Sequence, residues 1–295
     1  VVEVVEPREE DDLTPEQANA IMASWKQHLR EEFGEDLRRV NEVRFRLTDV
    51  LKEFNRYQSK WLARLELFTC GYSIACEEDE KHAIYEVWVV ERGTDYVIAE
   101  ISFDYDLTRG VKRIMEVSET SDHYALSLHE VYDFLALALK LAHAFYTASP
   151  TSPSITQSTT RGVATVTTPD DVIERKQILR ERFTEDELRR VNEVRFRLTD
   201  VLKEFNKQQG RWLAWLRVLV CEPVFCKEEK IVDYDVYVST RDTGERVAGI
   251  TLSYNLTKDV KRLLHIHGYL GDSGLSFNEF CDALALALRL MHAFL

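Results

Sequence analysis

An α+β fold built from two copies of one domain is predicted by three observations. The segment Leu37 to Asn55 (LRRVNEVRFRLTDVLKEFN) recurs without a change as Leu188 to Asn206, at an offset of 151. Inside each copy the apolar residues recur first at helical spacing and then alternate along short runs. Each copy closes on a strongly apolar stretch opened by a serine and a glutamate three residues apart.

The repeat continues more loosely through Trp61 and Trp212, Cys70 and Cys221, Tyr105 and Tyr254, and Val111-Lys112-Arg113 and Val260-Lys261-Arg262. It ends with Ala136 to Leu139 and Ala285 to Leu288, small gaps having moved the offset to 149. A unit of about 110 residues is a full domain, too long for the repeat of a solenoid. The expected layout is therefore an N-terminal arm and short helix over 1–32, a first repeat domain over 33–146, a linker over 147–171 and a second repeat domain over 172–295.

From about Phe33 to Leu65, the residues Val40, Val43, Leu47, Val50, Leu51, Phe54 and Trp61 fall on one stripe, which predicts a long amphipathic helix. Three β-rich runs follow, around Leu67 to Ala75, Ala83 to Val90 and Tyr96 to Tyr105, the last alternating cleanly. Gly93 and the charged pieces between runs suit hairpin turns. The spacing of Val111 to Val117, matched by Val260 to Ile266, fits either a strand or a short helix, and a fourth strand is expected. Ser127 with Glu130, and Ser276 with Glu279, form S-x-x-E capping boxes. The runs they open, Val131 to Phe145 and Phe280 to Phe294, are apolar around most of the circumference and predict buried closing helices. Each copy thus reads as helix, antiparallel meander of three to four strands, helix.

The linker is rich in Ser and Thr and has no composition for a core. Val1 to Asp12 alternates valine with acids and reads as an arm. No apolar run is long enough to span a bilayer, and the first thirty residues carry no apolar signal-peptide core, so a cytoplasmic or virion-type assembly fits the chain.

The 51 acidic residues against 38 Lys and Arg give a formal net charge of -13, which argues against a surface coated for generic polyanion binding. Against that balance, Arg38, Arg39, Arg44 and Arg46 repeat as Arg189, Arg190, Arg195 and Arg197. Lys112 and Arg113 repeat as Lys261 and Arg262, and Arg109 becomes Lys258. Arginine's planar donor fork suits phosphate, so these positions are candidates for nucleic-acid contact. Glu42, Asp49 and Glu53 interleave the same helix, and ion pairing on a solvated face is the competing explanation.

Phe45 projects nearly opposite the apolar stripe, and Phe196 repeats the arrangement. An aromatic there needs cover from the same chain or from another subunit, and the pair is read as an assembly interface.

Cys70 and Cys76 answer to Cys221 and Cys226, at spacings looser than a zinc-binding pair. Ordinary buried thiols are expected ahead of local disulfides and a metal site; Cys281, with Tyr132 at its matching position, is expected in the core. His143 and His292 match near the ends of the closing helices, where a structural role at the helix terminus is expected. An enzyme would need a pocket joining one of them to a carboxylate. The phosphate-loop, dinucleotide, zinc-protease and nucleophile-elbow motifs are all missing, so no cofactor or metal is expected.

Together these features predict a non-enzymatic, self-assembling homo-oligomer. A coat or nucleoprotein subunit that contacts DNA or another polyanion through the repeated basic positions fits best. The alternative is an acidic regulatory or chaperone-like module whose closing helices hold a protein partner.

Overall fold

The computed structural model describes residues 14–69, 80–94, 96–119, 126–148, 182–220, 229–268 and 275–295. The arm, Cys70, Cys76, Cys221 and Cys226, and the linker beyond Ala148 lie outside the described residues. The chain separates into two compact units, Val1–Met115 with Ala136–Ser154 and Glu116–Leu135 with Ile155–Leu295.

In the first unit, α1 (Pro15–Phe33) starts on a reciprocal capping box between Thr14 and Gln17 and has proline in its first turn. It stops at Gly34, whose φ of 52° is a left-handed conformation that glycine tolerates. A single 3-10 turn, Gly34–Asp36, leads into α2 (Leu37–Tyr57), which buries Val40, Val43, Leu47 and Leu51. In the second unit Thr184 and Glu187 form a capping box instead, and α4 (Glu185–Gln208) buries Val191, Val194, Leu198, Leu202 and Phe205.

The long helix is shorter than its apolar spacing predicts. It ends at Gln58, whose extended backbone (φ -86°, ψ 119°) breaks the helix, and Trp61 opens strand β1 (Trp61–Thr69). The cause is Asn55. Its side-chain amide donates to the Ala63 carbonyl at 2.8 Å and its oxygen accepts the Ala63 N–H at 2.7 Å, so one side chain ties helix end to strand start. Asn206 holds Ala214 at the same two distances, and β5 (Trp212–Val220) starts in the same way.

Strands β2 (His82–Glu91), β3 (Val97–Asp106) and β4 (Val111–Glu119) follow β1. In the second unit β6 (Ile231–Thr240), β7 (Arg246–Asn255) and β8 (Val260–Gly268) follow β5. The Val111 run is thus a strand. Where meanders of three to four strands are expected, the sheet has eight, hydrogen-bonded in the order β1-β2-β3-β4-β8-β7-β6-β5. The end of β4, which belongs to the second unit, meets β8 antiparallel with Glu116 opposite His267 and Ser118 opposite His265. An edge strand presents a row of open N–H and C=O groups, and this pairing satisfies part of that row.

Helices α3 (Leu128–Thr147) and α5 (Phe277–Phe294) close the sequence pattern, and Ser276 and Glu279 make the expected box on α5. Phe145 is fully buried against Phe103 and Tyr85, at ring distances of 4.9 and 5.9 Å. Phe294 meets Tyr234 at 5.7 Å. Tyr85 donates to the Val40 carbonyl and Tyr234 to the Val191 carbonyl, both at 3.0 Å, which fixes each long helix on its strands.

Asn206→Ala is expected to lower urea-unfolding stability by about 1–3 kcal/mol, because Ala214 then loses both partners. Asn192→Ala, which removes only a bond to a carbonyl in its own helix, should change it by less than about 0.5 kcal/mol.

Candidate functional site

The outward face of α2 carries Phe45 with 57% of its surface open, and that of α4 carries Phe196 with 59% open. Both lie opposite the buried stripe because 100° per residue puts them there. Each ring is capped by the preceding arginine, Arg44 at 4.9 Å from the Phe45 centroid and Arg195 at 5.1 Å from that of Phe196. Arg38, Arg46, Asp49, Lys52 and Glu53 are exposed around the first, and Arg189, Arg197, Asp200, Lys203 and Glu204 around the second. In the second set Arg189 pairs with Asp186, Arg197 with Glu193 and Lys203 with Asp200.

The remaining basic candidates separate by face. Arg39 is turned inward, donating to Asp36 at 2.9 Å, to the Tyr105 hydroxyl at 3.0 Å and to the Leu107 carbonyl at 3.2 Å. Arg190 does the same with Asp259 at 3.1 Å, Tyr254 at 3.2 Å and the Leu256 carbonyl at 3.3 Å. Each arginine therefore pins its helix to the turn after a central strand. Asp259 stands in that turn at φ 54°, where the first unit has Gly110 at φ 69°. Its carboxylate bonds to Arg190 and Tyr254 hold a conformation that glycine adopts without help.

Lys112 is buried. Its ammonium donates to the Phe145 carbonyl at 2.6 Å and to that of Ala148, at the C-terminal end of α3, and lies over the Tyr105 and Phe145 rings. Lys261 donates to the Phe294 carbonyl at 2.6 Å and lies over the matching rings Tyr254 and Phe294. A cation there satisfies the open carbonyls of a helix end and meets the negative end of its dipole. Burial pulls the Lys112 amine down to about 8, with Glu42 opposing and Arg39 and Arg46 adding to the shift. The structure thus brings Lys112, Arg39 and Arg46 into one electrostatic cluster, and Lys261, Arg190 and Arg197 into its counterpart.

Arg109 pairs with Glu80 at 2.5 Å, Arg113 with Asp104 at 3.6 Å and Lys258 with Glu229 at 2.5 Å. Arg262 exerts its charge on Glu119 and Glu229. These four are held among acids of the sheet and its turns, apart from the α2 and α4 exteriors.

Sequence reasoning missed the titratable groups on the sheet. His82 Nδ1 lies 2.7 Å from Asp104, both side chains 5% exposed or less, so the pair is enclosed. Burial raises the Asp104 carboxyl, with the His82 hydrogen bond opposing. Ile231 and Ser253 stand at the matching places in the second unit. Glu86 is pushed up to about 7 by burial, then by Glu100 and Glu66 on the neighbouring strands. Glu119 is pushed up to about 8, again chiefly by burial, while Arg262 acts against the shift. His267, 4.7 Å from the His265 ring, is brought down to about 4 by burial and then by His265. The readable signal was strand alternation: Glu86 alternates with the buried Tyr85 and Val87, but register alone decides which acids face it.

His143 and His292 are both exposed, and Cys281 is half-buried. A shallow niche of about 230 Å³, open solvent included, is lined by Phe205, Trp212, Val238 and Ala248 with Glu279 and Asp282, and neither histidine lines it. Among the described residues no group of His, Cys, Asp and Glu is arranged to hold a metal, and no helix is long and apolar enough to cross a membrane. No protein-family model, curated protein or solved structure matches the chain. The chain is a mixed helix-and-sheet protein with an eight-stranded antiparallel sheet among the described residues.

The shifted carboxyls set a pH dependence. Glu119 has a folded value near 8, above its unfolded value, so it costs stability as pH rises from the unfolded value through about 8. Glu119→Gln should therefore raise stability by about 1–3 kcal/mol at pH 8 and leave it nearly unchanged at pH 4, where the carboxyl is mostly protonated in the unfolded state and fully so in the folded one. Paired urea titrations at the two pH values check this.

Proposed function

We propose that the chain is a non-enzymatic structural protein that self-associates, with Phe45 and Phe196 as its anchors. The observation that carries the reading is the identity of two exposed helix faces. Packing constrains the inward side of a helix, yet Arg38, Phe45, Arg46, Asp49, Lys52 and Glu53 recur outward as Arg189, Phe196, Arg197, Asp200, Lys203 and Glu204. Half-open aromatics flanked by arginine have the composition of interface hot spots. The same reading takes 33–146 and 172–295 as copies of one domain, each with a long helix, four strands and a closing helix.

Nucleic-acid contact belongs to the same proposal in a narrowed form. Lys112 and Lys261 are engaged inside the fold, Arg39 and Arg190 in half-buried hydrogen bonds, Arg113 beside the buried Asp104 and Arg262 near Glu119 and Glu229, whereas Arg109 and Lys258 are paired with Glu80 and Glu229 but stay half exposed. Arg38, Arg46, Arg189 and Arg197 are the outward set, with Arg44 and Arg195 over the rings. Exposed ion pairs such as Arg197 with Glu193 contribute little and yield to phosphate readily. The alternative, an acidic protein-binding module, draws on the same engagement of basic groups, which takes part of the positive charge off the surface of an acidic chain.

Sedimentation of the purified chain is expected to show species larger than a monomer, and Phe45→Ser with Phe196→Ser should shift it to smaller species with an unchanged far-ultraviolet circular dichroism spectrum. A wild-type chain that is monomeric at every concentration would overturn the assembly. For the nucleic-acid part, co-sedimentation with duplex DNA should fall steeply between about 50 and about 200 mM salt. It should be lost when Arg38, Arg46, Arg189 and Arg197 become Ala. DNA-independent sedimentation removes that part and favours the acidic module.

A further inference from the structure

Strands β1 and β5 end the sheet order, so each has one side with no strand neighbour among the described residues. The backbone direction along these edges follows from the asparagine ties. Ala63 gives its N–H and C=O to Asn55, so by the two-residue alternation of an antiparallel ladder Leu65 and Leu67 also direct theirs away from β2. Likewise Ala214 is taken by Asn206, and Leu216 and Val218 direct theirs away from β6. Each edge is therefore blocked at one end by its own asparagine, and beyond it no strand pairs with it among the described residues.

The β5 edge lacks the usual protection. Its nine residues, WLAWLRVLV, include one charge and neither proline nor glycine. Leu213 and Trp215 are 39% and 36% exposed. On its helix-side face Leu216 and Val218 are only half-buried, as are Leu65 and Leu67 on β1, whereas Val87 and Val236 in the strands beside them are closed to solvent. The Arg217 Nε is shielded from solvent and has no hydrogen-bond acceptor among the described residues.

We infer that β5 of one chain pairs edge to edge with β1 of a second copy, antiparallel, in the register that places Arg217 opposite Glu66. This rests on the self-association proposed above and names one of its contacts. The register follows from three independent matches. It sets the open peptide groups of Leu65 against Val218 and of Leu67 against Leu216, inside the stretch that Asn55 and Asn206 leave uncovered. It puts a guanidinium against a carboxylate on the same face, and Phe68 opposite Trp215 beside them. A shift of two residues keeps the backbone pairing but carries Glu66 to Leu219 and loses the charge match. Because the two edges differ, the contact is heterologous, and each chain carries one edge of each kind.

Light scattering across a concentration series on the full chain tests this. The wild type should form species larger than a monomer as concentration rises. Arg217→Glu and Glu66→Arg should each weaken association on the order of tenfold, and the double variant should restore it. If Arg217→Glu loses helical circular dichroism, Arg217→Gln and Glu66→Gln give the same comparison without reversing charge. Loss with Glu66→Arg alone, Arg217→Glu being silent, would mean β1 pairs with its own copy and overturns the inference. Wild-type growth indifferent to both charges overturns the edge contact while leaving self-association standing. A wild type that stays monomeric overturns self-association itself.

Discussion

A side-chain amide at the end of each long helix is the constraint from which the rest follows. Asn55 and Asn206 offer a donor and an acceptor in the spacing of one residue's backbone, and so act as a single rung of a missing strand. They stop the helix, set where the first strand begins, and thereby fix which residues of that strand face the helix. Trp61, Ala63, Trp212 and Ala214 become buried as a result. Tyr85 and Tyr234 then reach the helix carbonyls of Val40 and Val191 from the second strand.

Charge inside the fold obeys a second constraint. A helix end leaves carbonyls that need donors, and the long lysine stems of Lys112 and Lys261 run along aromatic rings to supply them. Arg39 and Arg190 supply donors to a turn in the same way. An overall acidic protein thus keeps part of its positive charge as internal fastening, and burial raises its Glu86 and Glu119 carboxyls to about 7 and about 8.

Much of this was legible in the sequence, in the places where one periodicity rules. The inward stripe of α2, the capping box of α5 and the strand at Val111 follow from spacing and from cap chemistry. Trp61 did not, because seven residues after Phe54 it fits a helix, and what excludes it is a tertiary bond from Asn55. Arg38 and Arg39 are neighbours with opposite fates: one faces water and the other a tyrosine that arrives from far along the chain. The His82–Asp104 pair depends on two strands whose register no local pattern states. The outward position of Phe45 was readable because a helix fixes direction by count alone.

The two helix exteriors have a consequence for stoichiometry. Any molecule shaped to one of them, whether a subunit, a polymer segment or an antibody, meets the same epitope at two places on each chain. Occupancy per chain therefore tends toward two equivalents with closely similar intrinsic affinities. The differences between the two segments, as at His82 and Ile231 or Gly110 and Asp259, lie outside the stretch Leu37–Asn55 that recurs unchanged as Leu188–Asn206.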